Sequence, residues 1–454
     1  MNTRSDQAAL LRAAVASTPS DRISWHNLAA AEGDLGRVVE AEAAARRAIS
    51  LGIRAPETRL VHARALQGLR RLDEAQRAFE EAVKLRPGYV EAHRDLAQLI
   101  WMRTADKSAA LSRLDSAVAA MPRESGLHLV RSIVLEFAGD RAGALAASEA
   151  GLAQTPTDSA LLRQAAHLLL DDGDAPRALA LAQRATNSAP AGSVAELATM
   201  CEALLAAGRI PEGDAAARKL VAAVPHDQHA LALQATAWRL AGDPRYPALY
   251  DYSVLVDSQR LDVPIGYASL DAFLRDLAAD LESLHAFRAH PLQQSVRGGS
   301  QLHLQAPELA RPLVNALFQS ITLAVGRHVE KLGTGGDPLR ARNTGRFGFS
   351  GAWSVRLRSG GHHADHVHPH GWISSACYIA LPSGMGTSAE SKDRAGWLRL
   401  GKPPVSTVPA LDADHYVRPE AGRLVLFPAY MWHGVEPFEG ESPRLSVAFD
   451  VVPA

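Results

Sequence analysis

Small and apolar residues in the first half of the chain recur with a period of 34 or 35. Ala29, Ala63 and Ala97 form one series, and Ala41, Ala75, Ala109, Ala144 and Ala178 form another. Prolines keep the same period at Pro87, Pro122, Pro156, Pro190 and Pro225, in steps of 35, 34, 34 and 35, and Pro19 lies two 34-residue steps before Pro87. The pattern predicts stacked helix pairs. Alanine lets two helix backbones approach at their crossing, and a proline, which has no N–H, ends the second helix of each pair. The phase stops after Gly242, where Asp243-Pro244-Arg245-Tyr246-Pro247 reads as a turn closely followed by Tyr250 and Tyr252. Beyond it, Leu270, Phe273, Leu274, Leu277, Leu281 and Leu284 fall on one helical face, and Leu309, Leu313, Leu317 and Ile321 predict a second helix. From about residue 345 the period changes to two. Trp353, Val355 and Leu357 alternate with Ser354, Arg356 and Arg358, and apolar runs at 372–381, 397–400, 423–427 and 445–452 are separated by Gly, Pro and Ser turns. Strands of that length and spacing predict a β-sandwich or jelly roll.

Trp25-x2-Leu28-Ala29 opens one repeat, and Ala75-x3-Phe79-x2-Ala82 followed by Pro87 closes the next. With the in-phase prolines, these residues resemble the tetratricopeptide repeat over about residues 20–240. The resemblance implies a solenoid that offers a surface to an extended peptide or another protein. The expected architecture is α+β and multidomain: an all-α solenoid at 1–242, then a second domain at 243–454 with a helical lead-in (243–340) and a jelly roll (341–454). Polar, Gly-rich 292–301 reads as a loop lining a cleft, and 383–396 as a lid between two strands. Gly333-Thr334-Gly335-Gly336 lacks the preceding strand and the following Lys-Ser/Thr of a phosphate cradle, and reads as a flexible loop.

Composition narrows the partners. The 454 residues are 47% hydrophobic and 21% charged, which suits a globular chain of two or three domains. Lys+Arg at 48 against Asp+Glu at 49 leaves a formal charge of −1, so no whole-molecule field favours nucleic acid or an anionic membrane. No apolar run approaches the roughly 20 residues that cross a bilayer. The first residues include Arg4, Asp6 and Arg12 and do not read as a secretory signal. Two distant cysteines, Cys201 and Cys377, make neither a disulfide framework nor a Cys-based zinc site, and a cytoplasmic setting is expected. Cys377 reads as core, and no acid, base or nucleophile outside a metal centre stands out.

Five of the eighteen histidines fall within nine residues: His362, His363, His366, His368 and His370. His366 and His368, two apart, share one face of an extended strand. A third imidazole is offered by His433, in Phe427-Pro428-Ala429-Tyr430-Met431-Trp432-His433. Eleven residues on, Arg444-Leu445-Ser446 sets an Arg and a Ser on one strand face. If the chain reverses at 437–442, the next strand runs back antiparallel and brings Arg444 within reach of an ion. A guanidinium there suits the far end of a dicarboxylate, because its fork makes two parallel charge-assisted bonds.

This set resembles the iron(II)- and 2-oxoglutarate-dependent oxygenases, and more narrowly a bacterial group of them that carries tetratricopeptide repeats upstream. The resemblance rests on His366-Val367-His368-Pro369-His370-Gly371-Trp372-Ile373-Ser374-Ser375-Ala376-Cys377-Tyr378, on the 427–433 run, and on Arg444-Leu445-Ser446; it covers about residues 245–452. It implies a double-stranded β-helix, Fe(II) as metal, and 2-oxoglutarate and O2 as cosubstrates. It further implies His366 as first ligand, His433 as distal histidine, Arg444 with Ser446 as anchor for the C5 carboxylate, and Tyr378 as a further contact to the cosubstrate. The broad superfamily uses two His and one carboxylate, whereas the position two after His366 is His368. Three ligand sets therefore stand: His366, His368 and His433; two His with a water; or His363-Ala364-Asp365 supplying a His-x-Asp pair. The arrangement is also similar to the aspartyl/asparaginyl β-hydroxylases, which join helical repeats to such a domain, and this implies hydroxylation of a peptide or protein side chain. Two other classes fit the same residues: a non-enzymatic repeat scaffold with a metal-binding barrel, and a three-His cupin-like dioxygenase that does not use 2-oxoglutarate. A cupin has no need of Arg444.

Overall fold

The computed structural model describes residues 3–383, 385 and 394–454. The chain forms two compact units, Met1–Asp140 and Arg141–Ala454. Among its described residues the first contains helices alone, from Thr3–Ser17 to Ser125–Phe137, each packed on its neighbour in sequence. The second opens with six more helices of the same kind, from Arg141–Gln154 to Gln228–Ala241, and continues into an antiparallel sheet.

The expected punctuation holds along the helical run. Leu72–Leu85, Lys107–Ala120, Arg141–Gln154, Ala175–Ser188 and Ile210–Ala223 each stop two residues before an in-phase proline. The first helix of each pair ends near a left-handed residue, and these too keep the period: Gly36, Arg70, Ala105, Gly139, Gly173, Gly208 and Gly242. Ala41, Ala75, Ala144 and Ala178 are buried, as their packing role requires. In the third pair the buried member is Ala110 rather than Ala109, because the 35-residue step between Pro87 and Pro122 shifts the series by one.

Nine strands follow among the described residues: β1 (Asp257–Arg260), β2 (Val296–His303), β3 (Phe347–His366), β4 (Ile373–Ala380), β5 (Leu398–Leu400), β6 (His415–Val417), β7 (Arg423–Pro428), β8 (His433–Val435) and β9 (Arg444–Pro453). Their order is β1-β7-β4-β9-β3-β8-β5-β6, with β2 on the other edge of β3, and the sheet curls into the jelly roll that the period-two pattern predicts. Leu270–Glu282 and Pro312–Leu332 bury Phe273, Leu277, Leu281, Leu317 and Ile321 in one core with Leu424, Leu426 and Phe449. The second helix starts at Pro312 rather than running through from Leu309, since proline suits a first helical position.

Two expectations need correction. Residues 296–301 of the Gly-rich segment belong to β2 rather than to a loop, while 292–295 lie outside any strand. Gly299 sits so close to β3 that a Cβ there would lie 2.4 Å from the Arg356 carbonyl oxygen. Nor does the chain reverse at 437–442. Val435 pairs with His363 and Arg444 with Leu357, both antiparallel to β3, so β9 continues in the direction of β8. The lid expected at 383–396 lies in large part outside the described residues.

Within the second unit, the last repeat helices pack directly on the barrel. Trp432 is buried among Cys201, Leu205, Leu220 and Leu233, and its indole N–H donates to Thr236 Oγ1 at 2.9 Å. The Gln228 N–H donates to the Pro369 carbonyl at 2.9 Å. Tyr250 donates to the Tyr430 carbonyl (2.7 Å) and Tyr430 to that of Leu249 (3.0 Å), which ties the segment after Gly242 to the 427–433 run. These contacts support the stretches on either side of His368 and His433 from behind.

Candidate metal centre

Strand β3 delivers His366 at its last residue, β8 delivers His433 at its first, and the two are register partners. His368 follows β3 in a turn closed by the Gly371 N–H on its carbonyl (3.0 Å). The shared strand face expected for His366 and His368 is thus replaced by a strand end and a turn, which converge all the same. The ring centroids of His366 and His433 are 4.1 Å apart, and that of His368 lies 5.2 and 5.1 Å from them. One nitrogen from each ring falls within 4.8 Å of the others.

The outer ring nitrogens settle the tautomers. His366 Nδ1 donates to the Ala364 carbonyl (2.8 Å), His433 Nδ1 to the Met431 carbonyl (2.9 Å) and His368 Nδ1 to Asp450 Oδ1 (2.5 Å). Carbonyl and carboxylate oxygens only accept, so each ring in its metal-ligating, neutral form turns a bare Nε2 inward. Nε2 of His366 and of His368 are 3.2 Å apart. With both rings in the ligating tautomer, that spacing suits two donors at about 2.1 Å from one cation, roughly at right angles. Burial, then the neighbouring His368, pulls the pKa of His366 down to about 3, and burial with both neighbours holds His433 well below the ordinary range. The donor set therefore fits a divalent ion.

Asp365 is not brought to this cluster. A register shift in β3 between His363 and His366 leaves the His363 and His366 rings stacked, centroids 6.1 Å apart, on the cavity side. Asp365 is instead held bidentately by Arg399 (2.7 and 2.9 Å), which also reaches Glu436 at 3.0 Å. His363 Nδ1 is engaged with Ser295 Oγ (3.0 Å). The Asp365–Arg399 pair ties β3 to β5 across Gly434, where a Cβ would come within 2.5 Å of Asp365 Oδ1. Gly434→Ala is expected to cost about 1–3 kcal/mol by overpacking and to weaken metal binding through displacement of His433, as checked by thermal melting and metal titration.

The three imidazoles open into a cavity of about 590 Å³. Alternate residues of β9, Arg444, Ser446, Ala448 and Asp450, line it, as the two-residue period of a strand requires. Arg444 is 1% exposed, and its Nε and Nη1 have no hydrogen-bond partner. Its guanidinium lies 5.1 Å from the ring centroid of Tyr378, itself fully buried with an unpartnered hydroxyl. Burial pulls the pKa of Arg444 below its ordinary value. A buried guanidinium with unanswered donors is costly, and an incoming carboxylate would satisfy it.

Sequence reasoning did not single out Asp450 or Arg399. Trp353 forms a cavity wall between His303 (5.8 Å, stacked) and His368 (6.0 Å, edge-on). Trp372 and Trp432 are buried packing residues, and both cysteines are buried and free.

Comparison with known proteins agrees with this picture. Residues 351–450 match a family model described as "Putative 2OG-Fe(II) oxygenase", and residues 60–128 match one described as "Tetratricopeptide repeat". The family implies Fe(II) and 2-oxoglutarate. No curated protein matches the chain. Among solved structures, yeast Tom70 is 15% identical, covering 62% of this chain and 59% of its own at a TM-score of 0.44. YrrB, a TPR protein with an unusual peptide-binding site, is 18% identical (40% and 94% covered, TM-score 0.28). A thermophilic TPR protein from Thermus thermophilus is 26% identical (40% and 99%, TM-score 0.32). Among the described residues no helix is long and apolar enough to cross a membrane. The chain thus matches the 2OG-Fe(II) oxygenase family model over residues 351–450, downstream of its match to the tetratricopeptide-repeat model over 60–128.

Proposed function

We propose that this protein is an iron(II)- and 2-oxoglutarate-dependent dioxygenase that hydroxylates a side chain of a peptide or protein recruited by its repeats. The observation that carries the reading is the meeting, in one cavity, of three inward Nε2 lone pairs and a buried guanidinium with unanswered donors. When bound, Fe(II) and 2-oxoglutarate supply the oxidation: dioxygen and the keto acid give succinate and carbon dioxide as a C–H bond becomes C–OH. His366, His368 and His433 hold the ion, and their Nδ1 hydrogen bonds keep each ring in the ligating tautomer. Arg444 and Ser446 hold the C5 carboxylate, with Tyr378 backing the guanidinium. Trp353, Val355, Val367 and Phe427 line the cavity with apolar surface that limits water near the ion, and Gln293, Gln294, Ser295 and Gln301 present amides and a hydroxyl to substrate.

On this reading the repeats at 1–242 recruit and the domain at 243–454 catalyses. The matched repeat family supports the first role, and two buried free cysteines suit a cytoplasmic location. The test is succinate release from 2-oxoglutarate by purified, Fe(II)-loaded protein under air, alongside anaerobic binding of 2-oxoglutarate. Binding with turnover supports the dioxygenase; metal binding without any uptake of 2-oxoglutarate would leave a cupin-like enzyme or a scaffold.

A further inference from the structure

The three imidazoles differ in what holds them. His366 and His433 each donate from Nδ1 to a neutral backbone carbonyl, of Ala364 and Met431. His368 donates to a carboxylate, Asp450 Oδ1, at 2.5 Å, across 82 residues of sequence. Asp450 is 8% exposed, sits on β9 facing the cavity, and is oriented by the Ser374 hydroxyl, which donates to the same oxygen at 3.0 Å. Among the described residues it is the carboxylate that lines the cavity, since Asp365 faces away into its pair with Arg399.

A ligand set of two His and one carboxylate brings one negative charge to a divalent ion. Three neutral imidazoles bring none. Resting on the three-imidazole reading above, we infer that Asp450 restores that charge from one ring farther out, as a positioning residue that acts through His368. The carboxylate fixes the His368 ring and its tautomer, and its charge makes Nε2 a stronger donor than the other two nitrogens. The site is then electrostatically equivalent to a two-His, one-carboxylate centre, with the acidic group moved out of the coordination sphere. The position two after His366 holds a histidine because the charge it would have supplied arrives from β9.

Asp450→Asn tests this in the full-length protein, since it keeps the shape and an acceptor oxygen but removes the charge. Co(II) and Fe(II) affinities are measured anaerobically, with the visible spectrum of the Co(II) form as a second readout. The expected result is a roughly 10- to 100-fold loss of affinity with a shifted Co(II) spectrum. The loss should be absent when Asp450→Asn is added to His368→Ala, because the charge acts through that ring. Unchanged affinity and spectrum in Asp450→Asn, or losses that multiply in the double variant, would overturn the inference while leaving the metal site standing. Should wild-type protein bind no stoichiometric Co(II), the three-imidazole reading fails and takes the inference with it. If Asp450→Asn does not fold, Ser374→Ala carries the test, since it leaves the charge in place but releases its orientation. A loss near the low end of the same range supports the inference, and wild-type affinity overturns it.

Discussion

Arg444→Met is expected to give a folded, metal-binding protein that no longer takes up 2-oxoglutarate and melts no lower than wild type without it. The two effects have opposite sign and one cause. Nε and Nη1 of Arg444 lie buried without partners, so the cosubstrate-free fold carries an unanswered charge. An apolar side chain of similar length removes that cost, and replacements of buried charge by well-packed apolar groups range from neutral to about 1–4 kcal/mol stabilising. On the proposed reading, the same change would delete a two-pronged charge-assisted contact to the C5 carboxylate. Two such hydrogen bonds contribute on the order of 3–4 kcal/mol, or ~100- to 1,000-fold in Kd. Thermal melts with and without 2-oxoglutarate read both: the added keto acid should raise the midpoint of wild type and leave the variant's unmoved. Arg444→Lys should not rescue binding, because a point charge on a flexible stem does not reproduce the planar fork. Wild-type affinity for 2-oxoglutarate in the Met variant would remove Arg444 from the site.

A fragment beginning at residue 243 is expected to fail as an independent metal-binding domain, whereas one beginning at residue 141 should succeed. Trp432, next to the candidate ligand His433, is 3% exposed, and its cover comes from Cys201, Leu205, Leu220 and Leu233 in the repeat helices. An aromatic buries about 150–250 Å², which at about 25 cal/mol per Å² is worth roughly 4–6 kcal/mol. That is comparable to the whole net stability of many domains. The shorter fragment also strands the Trp432 indole N–H without Thr236 and the Pro369 carbonyl without Gln228. Solubility, thermal melting and Co(II) binding of the two fragments check this. A well-folded 243–454 with full-length affinity would show that the repeat helices do not support the site.

The parts of the fold written in local physics were legible in the sequence. Proline ends helices by sterics and alanine permits close crossing, so Pro87 to Pro225 marked the helix ends to within two residues. Alternation along 353–358 likewise announced β3. What escaped depends on pairing between distant segments. Strand β2 carries Gly298 and Gly299 and looks like a loop until β3 lies beside it, where Gly299 is the residue that fits. Asp450 finds His368 only because β9 and β4 are neighbours and Ser374 aims the carboxylate. Asp365 was a fair candidate by spacing, and a single irregularity in β3, which no local pattern reveals, turned it toward Arg399. The histidine cluster stood out by density alone. Which of its members converge was decided by where β3 stops.

Strand β9 sets Arg444, Ser446, Ala448 and Asp450 along one wall of the cavity. One wall so built leaves little freedom to changes in chain length. Gain or loss of a single codon between 444 and 450 would invert everything beyond it, sending either the guanidinium or the acid out of the barrel while the other stayed in place. Divergence along this stretch is therefore confined to substitution, and new specificity has to come from lining segments outside the strands, such as Gln293, Gln294 and Ser295 just before β2.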